Sequence, residues 1–149
     1  MTDLPDAARQ DPIFRRSRGE KRGRDGCRVP LPWSGQAPPY GFTTARPWLP
    51  MPDDWAPLTV EAQSSDPSSM LAFYREALAL RRRLQPDLPE DIGWLDAPGD
   101  VLAFRRGPLT CAVNFGEHPA RLPPGRVLLT STPLYGDLLP GNTGAWLQS

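Results

Sequence analysis

From Gly23 to Pro57 the chain has no room for a long regular helix or a central strand. Prolines stand at positions 30, 32, 38, 39, 47, 50, 52 and 57. Each withholds an amide donor, fixes its own φ and pushes its predecessor away from helical geometry. Such a stretch is a shaped loop, and loops of this kind carry sites. Its densest part is Gly23-Arg24-Asp25-Gly26-Cys27-Arg28-Val29-Pro30-Leu31-Pro32-Trp33. Two guanidiniums and a carboxylate fall within five positions there, beside an indole. Fork donors and a flat apolar face suit a sugar or a nucleotide, and an ion-paired loop corner uses the same residues. Trp33, Trp48 and Trp55 either plug the loop against a neighbour or stack on a sugar ring, since each ring needs a partner surface.

The clearest regular element is a helix over 67–84. Asp66 precedes Pro67 as an N-cap signal, Met70, Leu71, Tyr74, Ala77, Leu78 and Leu84 recur at helical spacing, and Pro86 stops the run. Arg81, Arg82 and Arg83 fall in the last turn, where cations favour the negative end of the helix dipole. Beyond it, 92–95, 101–105, 109–114, 120–122, 126–131 and 144–148 read as short strands separated by Pro-Gly-Asp and Arg-Gly-Pro turns. The runs at 101 and 109 predict a hairpin, and the set predicts an antiparallel sandwich or meander.

Charge and composition narrow the function. The chain carries 17 basic and 17 acidic residues, so no global field favours nucleic acid or an anionic membrane. The cluster Arg15-Arg16-Ser17-Arg18-Gly19-Glu20-Lys21-Arg22 has interleaved acids and few aromatics, which reads as a solvated loop. With little to bury, residues 1–22 are expected to be extended or disordered. No apolar run approaches the roughly 18 residues of a membrane span. The acidic start without an apolar h-region points to the cytoplasm. Cys27 and Cys111 read as free thiols of a reducing compartment, and a zinc site is not expected with His118 as the sole histidine. His118 itself reads as a solvated loop residue.

The ordered series of motifs resembles a known family. The Arg-Asp-Gly-Cys-Arg-Val-Pro-Leu-Pro-Trp run is followed by Gly41-Phe42-Thr43-Thr44, Pro47-Trp48-Leu49-Pro50, Val60-Glu61-Ala62-Gln63, 66–75 and Leu78-Ala79-Leu80-Arg81. From about Leu4 to the end, the series is similar to the C-terminal third of the α-glucosidase branch of glycoside hydrolase family 13. The resemblance implies an α+β fragment. Residues 1–65 would be an irregular loop on the rim of a TIM (β/α)8 barrel, 66–85 the last barrel helix, and 86–149 a small antiparallel β-sandwich C-terminal domain. A whole barrel needs roughly 250 residues, so the other strands are expected elsewhere.

The same resemblance limits the chemistry. Retaining glycosidases need a carboxylate nucleophile and a carboxylic general acid about 5 Å apart. The family takes them, with a third Asp, from the ends of barrel strands four, five and seven. Asp25, Asp53, Asp54 and Glu61 match none of those motifs, so no catalytic residue is assigned. What the resemblance does carry over is Arg28, matching an arginine that reaches the terminal glucose, with Arg24 and Asp25 bracing its loop. No cofactor is implied. The expected partner is an oligosaccharide in the context of a complete barrel, together with the missing barrel portion itself. A non-catalytic module that docks on a separately encoded barrel half is the alternative.

Overall fold

The computed structural model describes residues 2–149, which form two compact units, the first ending at Ala72 and the second running Phe73–Ser149. In the first unit regular structure is scarce. A five-residue helix α1 (Pro12–Arg16) and a six-residue helix α2 (Val60–Ser65) are joined by single 3-10 turns and irregular chain. Leu4, Tyr40, Leu49 and Met51 are its buried apolar side chains. Tyr40 sits at φ 46° with its ring buried. Its hydroxyl lies 2.9 and 2.8 Å from the carbonyl oxygens of Pro52 and Asp53, which share its proton, and it accepts the Trp55 amide at 3.2 Å. One phenol thus closes the proline-rich loop on itself, supplying partners that a helix or sheet would otherwise provide.

Two expectations for this unit need correction. Residues 2–22 are folded rather than extended or disordered. Polar groups do the work that apolar burial was thought to lack: the Arg9 side chain is 3% exposed and pairs with Asp3 (2.8 Å) and Asp6 (3.1 Å). It also donates to the carbonyls of Leu4 and Arg22. The loop expected over 1–65 is not irregular to its end, because α2 forms after Pro57, with Thr59 as N-cap accepting the Ala62 amide at 3.1 Å.

Helix α3 (Met70–Leu84) begins three residues later than 67–84. Asp66 spends its carboxylate on the turn before it, accepting the Ser68 amide (2.8 Å) and hydroxyl (2.7 Å). Capping passes to Ser69, whose hydroxyl accepts the Ala72 amide at 3.1 Å, and to the Gln63 side chain, which accepts the Leu71 amide at 3.0 Å. Leu80 is buried, whereas Met70, Tyr74 and Leu78, spaced four apart on one face, are exposed.

The second unit is built on a five-stranded antiparallel sheet of order β1-β2-β3-β7-β5, comprising β1 (Gly93–Leu95), β2 (Val101–Arg106), β3 (Leu109–Asn114), β7 (Thr143–Gln148) and β5 (Arg126–Thr130). A ribbon of β4 (Ala120–Arg121) and β6 (Leu138–Leu139) forms the second layer. The expected hairpin is β2-β3, with Arg106 opposite Leu109. Its turn needs Gly107: at φ 55°, a Cβ there would meet the Pro89 ring at 2.7 Å. Ala103, Ala112 and Ala145 are opposite one another on adjacent strands, and with Leu147 they pack in one buried cluster with Leu139 of the ribbon. The small alanines let the ribbon approach the sheet closely.

Asn114 locks the two layers. It is buried, its Nδ2 donates to the carbonyls of His118 (2.8 Å), Leu139 (3.1 Å) and Pro140 (3.1 Å), and its Oδ1 accepts the Gly116 amide at 2.9 Å. On the opposite face of the sheet, Phe104, Cys111 and Trp146 flank a cleft of about 230 Å³ together with Leu84 and Leu88.

Candidate functional site

The Arg-Asp-Gly run folds into a single 3-10 turn, Asp25–Cys27, flanked by Arg24 and Arg28. Asp25 is 1% exposed. Its Oδ2 accepts the amides of Gln10 and Asp11, both at 2.7 Å. Asp11 returns the grip: its Oδ1 caps α1 by accepting the Ile13 amide at 2.9 Å, and its Oδ2 accepts the Arg24 amide at 2.9 Å. Each aspartate therefore holds the backbone beside the other, across 14 positions of sequence. Gly23 completes the fit, since a Cβ there would lie 2.7 Å from Asp11 Cβ at a φ of 70°.

Arg28 sits over this clasp. Its Nη1 is 3.0 Å from Asp11 Oδ2 and 3.7 Å from Asp25 Oδ1, and its side chain remains 43% exposed. One edge of the fork is fixed by two carboxylates, and the remaining N–H groups are free to donate outward. The Ile13 and Arg24 amides, then the Arg28 guanidinium, hold the Asp11 carboxyl below its ordinary value. Asp11 therefore stays ionised through neutral pH.

Of the predicted site residues, Asp25 and Arg28 come together, while the exposed Arg24 side chain has no ion pair among the described residues and contributes its backbone amide. Asp11 is the partner that sequence reasoning missed. Its signal was the Asp11-Pro12 pair, an N-cap followed by proline at the first helical position. That signal reveals the cap and gives no hint of the long-range grip. Trp33 and Trp48 are 48% and 53% exposed, and Trp55 is partly buried. Asp53 and Asp54 are exposed, and Glu61 accepts the Gly35 amide at 2.9 Å. His118 is exposed, and Cys27 and Cys111 are free thiols. Among the described residues, no three His, Cys, Asp or Glu side chains gather as a metal-binding group, and no helix is long and apolar enough to cross a membrane.

The chain thus joins an irregular loop braced by buried carboxylates, a following helix and an antiparallel β-domain. The family model for the alpha amylase catalytic domain matches residues 3–87. The chain belongs to the α-amylase family, glycoside hydrolase family 13. A probable alpha-glucosidase of Rhizobium meliloti (strain 1021) is 34% identical over 115 residues, covering 74% of this chain and 21% of its own. A salivary alpha-glucosidase of Anopheles gambiae is 36% identical over 111 residues, covering 70% of this chain and 18% of its own. Among solved structures, the alpha-glucosyl transfer enzyme XgtA matches 98% of this chain and 30% of its own, with a TM-score of 0.75 and 31% identity. The chain therefore spans about a fifth of the length of these curated relatives. The fold class is the one the motifs implied: barrel-rim loop, last barrel helix and C-terminal antiparallel domain.

Proposed function

We propose that this chain supplies the C-terminal part of an α-glucosidase-type hydrolase acting on terminal α-linked glucose of oligosaccharides. The observation that carries this reading is Arg28, whose guanidinium is anchored on Asp11 and Asp25 yet 43% exposed. A fork held on one edge presents its remaining donors in fixed directions, which suits the paired hydroxyls of a sugar ring. In this role Asp25 holds the loop, the Arg24 amide ties it to Asp11, and the nucleophile and general acid belong to barrel strands outside these 149 residues. The free thiols suit a reducing compartment, so the cytoplasm is the proposed location.

The exposed Met70, Tyr74 and Leu78 favour a second element of the reading: α3 is a surface for association with a barrel portion. Whether that portion precedes this chain or is a separate polypeptide, the chain acts by complementation. The purified chain is expected to leave a chromogenic α-glucoside intact, and turnover above a heat-killed control refutes the assignment of the acids elsewhere. Mixed with the barrel portion of the Rhizobium relative, it is expected to restore turnover. Arg28→Ala is then expected to raise KM for the glucoside by about tenfold or more, because a charge-assisted hydrogen bond is lost.

A further inference from the structure

We propose that the first unit has a second binding site, for a phosphorylated sugar, in the cleft between the residues before α1 and the Arg46–Pro50 segment. The cleft holds about 440 Å³, within the range of about 300–1,000 Å³ typical of small-molecule sites. Its lining carries three arginines, Arg9, Arg15 and Arg46, and no carboxylate. Arg9 is already committed to Asp3, Asp6 and two carbonyls. Arg15 and Arg46 are exposed and have no carboxylate within 4.0 Å among the described residues. Two uncommitted guanidinium forks on one cleft match a phosphate dianion, which accepts paired N–H donors from each.

The sugar preference comes from Trp48. Trp48 is one of the residues lining the same cleft and is 53% exposed, and an indole offers a flat apolar face to a sugar ring. The ring is not on a loose loop: Leu49 next to it is fully buried, and the Trp48 carbonyl accepts the Gln10 side-chain amide at 3.0 Å. A phosphate on the arginines would bring an attached hexose ring against the indole. Asp11, Asp25 and Arg28 are not among the residues lining the cleft, and this inference is independent of the glucosidase reading.

Calorimetric titration of the full chain with glucose 6-phosphate, glucose and inorganic phosphate at neutral pH tests it. Saturable binding of glucose 6-phosphate is expected, with glucose and inorganic phosphate each at least tenfold weaker. Arg15→Ala and Arg46→Ala are each expected to weaken glucose 6-phosphate about tenfold or more. Trp48→Ala should weaken the sugar phosphate while leaving phosphate alone unchanged, and Arg82→Ala on α3 should change nothing. Among the described residues neither Arg15 nor Arg46 makes a side-chain hydrogen bond, so their variants are expected to keep the wild-type amide spectrum. Absence of saturable binding overturns the proposal. So does phosphate binding as tightly as the sugar phosphate, or binding indifferent to Arg15 and Arg46.

Discussion

In the first unit the buried anchors carry charge; in the second they do not. Arg9, Asp11 and Asp25 are the buried charged residues among those described, and all three precede Ala72. The second unit buries Leu80, Val101, Ala103, Ala112, Leu129, Leu139, Ala145 and Leu147, with Thr110, Asn114 and Thr143 as its buried polar groups. The contrast follows from backbone hydrogen bonding. Strand ladders satisfy the amides of the second unit, leaving side chains to pack, whereas the proline-rich first unit has few ladders and its amides must be met by side-chain oxygens. A unit of the first kind is vulnerable to loss of a single acceptor, and one of the second kind to loss of volume.

Leu139→Ala should give the largest effect. Leu139 is fully buried where the ribbon meets the sheet, and emptying such a site costs about 2–5 kcal/mol. Denaturant melts followed by Trp146 and Trp94 environment, together with amide spectra, should show the loss confined to signals of 73–149. Asp25→Ala is the counterpart in the first unit. It orphans the buried amide of Asp11 and the part-buried amide of Gln10 while removing almost no apolar volume; with about 1–3 kcal/mol for the buried group and less for the one that water can reach, the loss should be about 2–3 kcal/mol and confined to 2–72. If both variants loosen both units equally, the separation into two kinds of anchor fails.

This contrast also explains what could be read from the residues alone. The strands other than β6 and the β2-β3 hairpin were legible because apolar β-rich runs and Gly107-Pro108 are local signals, whereas β6 has only two residues and was missed; α3 was legible from its helical spacing. The error at the start of α3 arose because Asp66 and Ser69 are both good caps, and only the Gln63 side chain, eight residues from the Leu71 amide it meets, favours the later start. The fold of 2–22 was not legible, since Arg9 and Asp11 find their partners up to 17 positions away. No periodicity marks a clasp between two loops. Arg28 and Asp25 were nameable as a pair three apart, but the residue that orients Arg28 most closely, Asp11, was visible only as a helix cap.

Acid should separate the units next. Asp3, Asp11 and Asp66 have carboxyls held below the ordinary value of 3.8, chiefly by Arg22, the Ile13 amide and the Ser68 hydroxyl respectively. All three lie in the first unit. A depressed carboxyl contributes stability that is present above its unfolded value and lost as pH falls through the folded one. Between pH 5 and pH 2, therefore, amide protection in 2–72 is expected to fall before that of the strands. Simultaneous loss, or strands melting first, would break the contrast.

The smallest effect lies on the alkaline side and belongs to the second unit. Burial raises the Cys111 thiol above its ordinary 9.0, and the Trp146 indole hydrogen bond opposes that rise only in part. Because the folded value is the higher, the folded chain keeps its thiol proton where the unfolded chain has released it. The stabilisation is complete below pH 9 and drains away as pH climbs toward the folded value. Wild type should therefore lose stability above pH 9 more steeply than Cys111→Ala, measured by denaturant midpoints across pH 8 to 10.5. Equal slopes for wild type and Cys111→Ala would mean that the apolar cleft around Cys111 admits enough water to solvate a thiolate, and that the second unit is less dry than its packing implies.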